Sequence, residues 1–333
     1  MFFINRERIL QMDIIRSVAI LAVIGIHVSG AVLGSNPSPL GYNITFVFNQ
    51  ICRFSVPAFI FISGMGLSIS YRREESYFHF LVKRFKKILP QYFVWCLIYI
   101  FAVTRNFNIR QDINYIIYGK VFYHLYFIPL IVELYIVFPW IYRFIDKRWF
   151  LLFSFAVSTS VIIYTYYFID VTPDMWFWNK KNLLYWLFYF CLGGYIGKHR
   201  KNILPKIEKY KYVTLTGILI STVYVLYPLA HSIENIKNLE HVVTFQRPSI
   251  VIYSVLLILF ILGLNLKNRL IIGTIEYISR RTYSIYLCHA LVLFLCIKNI
   301  TNFYSANSLH FELAAYLITF FGALLITELK KFL

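Results

Sequence analysis

Two ionisable side chains stand inside the first apolar stretch of this 333-residue chain, Arg16 and His27. They are eleven residues apart. On an α-helix, at about 100° per residue, that spacing returns to nearly the same face, about 20° off, with about 16 Å of rise between them. One face therefore carries a guanidinium near one membrane surface and an imidazole about half a bilayer deeper. Asp13 lies one turn before Arg16, in reach to orient it. A guanidinium holds anions by charge-assisted hydrogen bonds. An imidazole suits general-base work near neutral pH. The set reads as a polar track, with an anionic group held at one end and a proton moved at the other. The plain alternative is an interfacial arginine snorkelling to headgroups, and a histidine bonded to a neighbouring helix.

Other polar groups interrupt apolar runs. Arg53 lies in Cys52-Arg53-Phe54-Ser55-Val56-Pro57, and Ser63-Gly64 follows in the same run, where small residues allow close helix approach. His124 opens a fourth run, and Glu133 is the acidic residue deepest within a run. A buried carboxylate needs a partner or a proton, so Glu133 reads equally as an ion pair with Arg53 or as a reacting group. His289 stands in the ninth run; alone, it reads first as a satisfied core histidine. The run Lys83-Arg84-Phe85-Lys86-Lys87 is a topology signal by default and also suits a polyphosphate at the membrane surface. Cys52, Cys96, Cys191, Cys288 and Cys296 show no zinc or CxxC spacing and read as small packing residues.

The elements that must position these groups are membrane helices. Lys and Arg outnumber Asp and Glu by 33 to 15, yet 59% of residues are hydrophobic and only 14% are charged. A soluble domain has about 45–50% apolar and about 25% charged residues. A soluble nucleic-acid binder would need more charge, clustered on one face. The aromatic content of 20% excludes disorder. The expected fold class is an all-α polytopic membrane protein, a single domain over residues 1–333. Apolar runs predict about ten transmembrane helices, at 14–34, 46–70, 89–104, 121–141, 150–170, 183–197, 213–230, 248–265, 282–298 and 311–328. Breakers separate them at Asn36-Pro37-Ser38-Pro39, Thr172-Pro173-Asp174 and Arg247-Pro248. Alternate loops then carry 23 and 8 basic residues. That asymmetry predicts both termini in the cytoplasm and an even number of spans.

Read together, these residues resemble the integral-membrane acyltransferase family 3, ten-helix enzymes that O-acylate bacterial surface polysaccharides. The pattern Asp13-x-x-Arg16 followed by His27 is the most specific part. Phe54-Ser55-Val56-Pro57-Ala58-Phe59 with Ile62-Ser63-Gly64 is similar to the family's second-span signature. Arg84-x-x-Lys87-Ile88-Leu89-Pro90 stands where the family usually has Arg-x-x-Arg; Lys87 keeps the charge but loses the bidentate fork. His124-Leu125-Tyr126-Phe127 resembles a His-Leu-Trp-Phe motif, and Tyr283-Ser284-Ile285-Tyr286-Leu287-x-His289 resembles the ninth-span pattern. Members that acetylate the enterobacterial common antigen, and members that export or modify poly-N-acetylglucosamine, are near in size.

The resemblance implies transfer of an acyl group, acetyl first, from cytoplasmic acyl-CoA to a hydroxyl of a surface polysaccharide or lipid-linked glycan, with no metal and no nucleic acid. It implies a multi-pass protein of the bacterial cytoplasmic membrane. Arg84, Lys87 and Arg16 would hold the CoA phosphates. His27 would act as general base or carry the acyl group briefly, with Arg16 and Asp13 in the same catalytic track. Arg53, Ser63, His124, Glu133 and His289 are candidates for contacting the acceptor or a developing oxyanion. Two rival readings use the same residues: an exporter of a surface glycan, and a proton-coupled transporter using Glu133 and the histidines.

Overall fold

The computed structural model describes residues 9–35, 37–104, 108–168, 182–232, 243–300 and 308–329, and all regular structure among them is helical. In chain order the helices are α1 (Leu10–Leu33), α2 (Pro39–Ile51), α3 (Ser55–Ser70), α4 (Tyr77–Tyr99), α5 (Ile109–Ile117), α6 (Phe127–Tyr142) and α7 (Arg148–Phe168). They continue with α8 (Leu187–Lys198), α9 (Arg200–Lys209), α10 (Lys211–Ser232), α11 (Pro248–Leu262), α12 (Arg269–Ile300) and α13 (Leu309–Leu329). Among the described residues seven helical stretches, against the ten apolar runs expected, are long and apolar enough to cross a membrane, and α6 and α11 are shorter apolar helices. The multi-pass architecture is thus present. The expected run at 183–197 is a 3₁₀ turn, Leu183–Tyr185, followed by the 12-residue α8. The charged tails at Arg6, Arg8, Lys330 and Lys331, and the Thr172-Pro173-Asp174 breaker, lie outside the described residues.

Capping chemistry sets where the helices begin. Ser38 accepts a hydrogen bond from the Gly41 amide at 3.2 Å, and Pro39 occupies the first turn. α2 then runs through a 3₁₀ turn, Cys52–Phe54, into α3, so this span starts seven residues before its expected boundary. Ser76 caps α4 in the same way, through the His79 amide. α4 therefore begins twelve residues early, and Arg84 and Lys87 stand one turn apart on a helix rather than in a loop. α12 likewise starts thirteen residues before the expected 282. His124 differs in the opposite sense: it sits in a turn ahead of α6.

α1 is the central post. It packs against α2, α3, α11, α12 and α13. α3 and α8 make the closest pair: a Cβ on Gly64 would strike the Phe190 backbone, and one on Gly193 would strike the backbone of Phe61. Such backbone contact is how membrane helices gain dispersion energy without a hydrophobic drive. It fixes the second span, and with it Ser55 and Arg53, against the bundle.

Candidate active site

α1 displays Arg16 and His27 toward opposite ends of the bundle. Near its start, Arg16 Nη1 donates to Asp13 Oδ1 at 3.3 Å. Asp13 is buried, and its Oδ1 also accepts from Ser279 Oγ at 2.5 Å. Ser17 Oγ donates to the Ile275 carbonyl at 2.8 Å. α12 therefore grips the Asp13–Arg16 turn at two points. On α4, Arg84 donates to Ser70 Oγ at 2.7 Å and lies over the Phe80 ring. Tyr135 of α6 lies beside Ser63, in electrostatic contact with Arg84 and Arg16. Ser63 is eight residues beyond Ser55 on one helix, about 12 Å along it. It therefore belongs to the Arg16 end. Lys87, exposed one turn past Arg84, completes a basic rim.

At the other end three imidazoles meet. The His27 ring centroid is 5.3 Å from that of His289 and 6.4 Å from that of His124, and His124 and His289 are 5.0 Å apart. His124 and His289 are buried. His289 Nδ1 faces the Tyr286 carbonyl at 2.7 Å and that of Ile285 at 3.2 Å. A carbonyl only accepts, so Nδ1 carries the hydrogen. In the neutral ring Nε2 is then the lone-pair nitrogen, and it has no protein partner. Tyr286 holds both neighbours: its hydroxyl donates to the His124 carbonyl. Tyr99 supports the same corner, donating to the Leu287 carbonyl at 2.9 Å and stacking on Phe122. The turn that presents His124 depends on Gly119, at φ 63°, where a Cβ would meet the Leu125 carbonyl oxygen at 2.8 Å.

A cavity of about 400 Å³ opens beside these rings, walled by His27, Ser55, Phe59, Tyr123, His124 and Phe245 among others. Ser55 Oγ and Nε2 of His289 are buried without protein partners. Groups of this kind normally find a partner, so their concentration here marks a place built for a polar ligand. Arg53 is next to it, coupled electrostatically to His27. It is 3% exposed, stacks on Phe245 and donates to Asn49 Oδ1 at 2.6 Å. Arg53 and Glu133 form no ion pair. Glu133 instead lines a separate cleft of about 660 Å³, with Lys120, Leu89 and Phe93. Tyr126 borders both spaces.

Arg53, His124 and His289 are thus gathered round His27, while Ser63 and Glu133 lie elsewhere. Asn49, Ser279, Tyr286 and Tyr99 were not singled out from the sequence as supports for the site. Asn49 and Gln50 carry a signal in retrospect, two adjacent amides in an apolar run. Among the described residues no group of three or more His, Cys, Asp or Glu is arranged to hold a metal ion.

The sequence profile of the acyltransferase 3 family, described as an acyltransferase domain, matches residues 9–328. A Staphylococcus aureus protein named as a probable poly-β-1,6-N-acetyl-D-glucosamine export protein is 26% identical over 263 residues, covering 75% of this chain and 72% of its own length. A Staphylococcus epidermidis protein of the same name is also 26% identical, over 75% of this chain and 71% of its own. A Bacillus subtilis protein named as a membrane-bound acyltransferase is 26% identical over 305 residues, covering 85% of this chain and 80% of its own. No solved structure matches.

Proposed function

The chain belongs to the acyltransferase 3 family, and we propose that it is an O-acyltransferase moving an acyl group, acetyl in our reading, from acyl-CoA to a hydroxyl of a surface polysaccharide or its lipid-linked precursor. The observation that carries this reading is the meeting of three imidazoles, with His27 and His124 on the wall of a cavity that also carries the unpartnered Ser55 Oγ, and His289 against both rings. A sugar hydroxyl is a poor nucleophile and needs a base. His27 takes its proton as the oxygen attacks the thioester carbonyl. The carbon–sulfur bond then breaks, and the CoA thiolate takes that proton from the imidazolium. The carbonyl oxygen gains negative charge on the way, and Arg53 stands beside His27 to stabilise it. His124, on the cavity wall, offers a contact for the acceptor hydroxyls, and His289 stands against His27 and His124 to position them.

The donor enters at the other end. Arg16, Arg84 and Lys87 are cations that match the phosphates of CoA. The pantetheine arm is long and thin, and it runs along α1 from Arg16 toward His27. Both termini are cytoplasmic in this reading, in a bacterial cytoplasmic membrane, because the basic residues of the charge asymmetry then face the CoA pool. The test is purified protein in nanodiscs with labelled acetyl-CoA and β-1,6-linked N-acetylglucosamine oligomers. Label transferred by the native protein and lost in His27→Ala is expected; equal transfer by both overturns the mechanism. An acyl-imidazole trapped on His27 would make it a covalent carrier rather than a base.

A second reading is favoured by the names of the staphylococcal relatives. There the polar track along α1 guides a glycan across the membrane. It predicts movement of the oligomer across a proteoliposome membrane without any acyl donor.

A further inference from the structure

Asn49 joins the helix of His27 to Arg53. Its Oδ1 accepts from Arg53 Nη2 at 2.6 Å, and its Nδ2 donates to Ser29 Oγ at 2.8 Å and to the Ile26 carbonyl at 3.2 Å. Ile26 and Ser29 flank His27 in one turn of α1, and Ser29 Oγ in turn donates to the Gly25 carbonyl at 2.6 Å. All three side chains, Asn49, Ser29 and Arg53, are buried. Both ends of a single amide are thus spent, one on the turn carrying the imidazole and one on the guanidinium.

The choice of amide is chemically pointed. A buried arginine is ordinarily held by a carboxylate, which cancels its charge. Arg53 makes no ion pair among the described residues, and its Nε has no partner. Gln50, the neighbour of Asn49, holds the buried Arg247 in the same manner, accepting from Nη1 at 2.9 Å. A neutral oxygen fixes a guanidinium in place yet leaves its positive charge for another anion.

We infer that Asn49 is a positioning residue, which registers Arg53 against the His27 turn while leaving the guanidinium charge available to an anion at the reacting centre. The inference rests on the reading of the His27 cavity as that centre. It explains why an amide, and not the stronger carboxylate clamp, occupies position 49.

Two substitutions separate position from charge. Asn49→Ala keeps the charge of Arg53 and loses its clamp. Asn49→Asp loses the Nδ2 bonds to the Ile26 carbonyl and Ser29 Oγ just as Asn49→Ala does, but keeps an acceptor for Arg53 and cancels its charge, so the pair isolates the effect on Arg53. Acyl transfer is read with labelled acetyl-CoA and β-1,6-linked N-acetylglucosamine oligomers, alongside thermal unfolding. The expected result is that Asn49→Asp melts no lower than Asn49→Ala, yet has a kcat equal to or below it, at least tenfold under the native value. The KM for acetyl-CoA should stay within about twofold, since the donor cations sit at the other end. A purely structural role demands the reverse order, and Asn49→Asp more active than Asn49→Ala would overturn the inference. If Asn49→Asp does not fold, Arg53→Lys and Arg53→Gln decide. Lys at least tenfold more active than Gln supports a charge requirement, and equal activity removes it. Failure here with His27→Ala still inactive would leave the acyltransferase reading intact, whereas native-level transfer by His27→Ala would remove that reading itself.

Discussion

The rings of His27 and His289 stand 5.3 Å apart although they belong to α1 and α12, at opposite ends of the sequence. The approach is directional. His289 turns Nδ1 onto the backbone of its own helix, so its remaining nitrogen faces away from that backbone and has no protein partner. Replacing His289 with Ala should lower acyl transfer by about threefold to tenfold, the scale of one neutral hydrogen bond, since the proton itself moves through His27. His289→Asn keeps a polar group there and should recover part of it. Rates from labelled acetyl-CoA check this, and an Ala variant at the native rate would reduce His289 to a packing residue.

Tyr286 connects His124 and His289, its hydroxyl donating to the carbonyl of His124 and its own carbonyl accepting from His289 Nδ1. Tyr286→Phe removes only the hydroxyl. A neutral hydrogen bond contributes about 0.5–1.5 kcal/mol. The expected loss is therefore about threefold to tenfold in kcat, with the ring still packed against Phe127 and His124. Kinetics in detergent and in nanodiscs should agree, because the effect is local.

At the opposite end, Ser279 and Arg16 share one oxygen of Asp13. Arg16→Ala should raise the KM for acetyl-CoA by about 10–100-fold, the scale of a charged hydrogen bond, with a smaller change in kcat. Ser279→Ala should shift it by about threefold to tenfold, through Asp13. Arg16→Lys keeps the charge and loses the fork, so its KM should fall between native and Ala. Donor titrations at two salt concentrations would show the contribution shrinking as screening rises.

The apolar runs were legible because burial in lipid and helix formation make the same demand on α1, α7 and α13. Helix starts at α4 and α12 were not. Their N-terminal halves carry Lys83, Arg84, Glu276 and Arg280, which read as loop by hydropathy, yet Ser76 caps one helix, and Lys83 and Arg280 are exposed while Arg84 and Glu276 are half-buried. His27, His124 and His289 were each visible as ionisable groups in apolar surroundings. Their convergence was not, since it needs α12 folded against α1 and a glycine turn ahead of α6. Asn49 carries only a weak signal, because an uncharged amide in an apolar run costs less than a charge, although its position in the hydrogen-bond chain is central.

Gly119 tests whether the His124 turn matters to the site. It combines positive φ with backbone contact from Leu125 and Tyr126. Gly119→Ala should cost about 1–3 kcal/mol locally. The bundle, held by α1, α3 and α8, should keep most of its thermal stability. Acyl transfer should fall more than stability does, because the strain is relieved by moving His124. Equal loss of both would mean that the turn is a general staple instead.

Glu133 separates acyl transfer from proton-coupled transport. The carboxylate lies in the cleft with Lys120 and Leu89, across Tyr126 from the histidine cavity, and makes no ion pair with Arg53. An acyltransferase working through His27 does not pass a proton through that position. Glu133→Gln preserves shape and removes the charge, so it should leave acyl transfer within about twofold. A transporter that used Glu133 to carry protons would lose coupled uptake entirely in the same variant, because the amide cannot bind and release a proton at any accessible pH. Parallel measurements in one proteoliposome preparation, labelled acetyl transfer and pH change in the lumen, make the two outcomes exclusive. Transfer abolished by Glu133→Gln would instead move the reacting centre toward the α4–α6 cleft, and would demand that Tyr126 swing aside to join the two spaces.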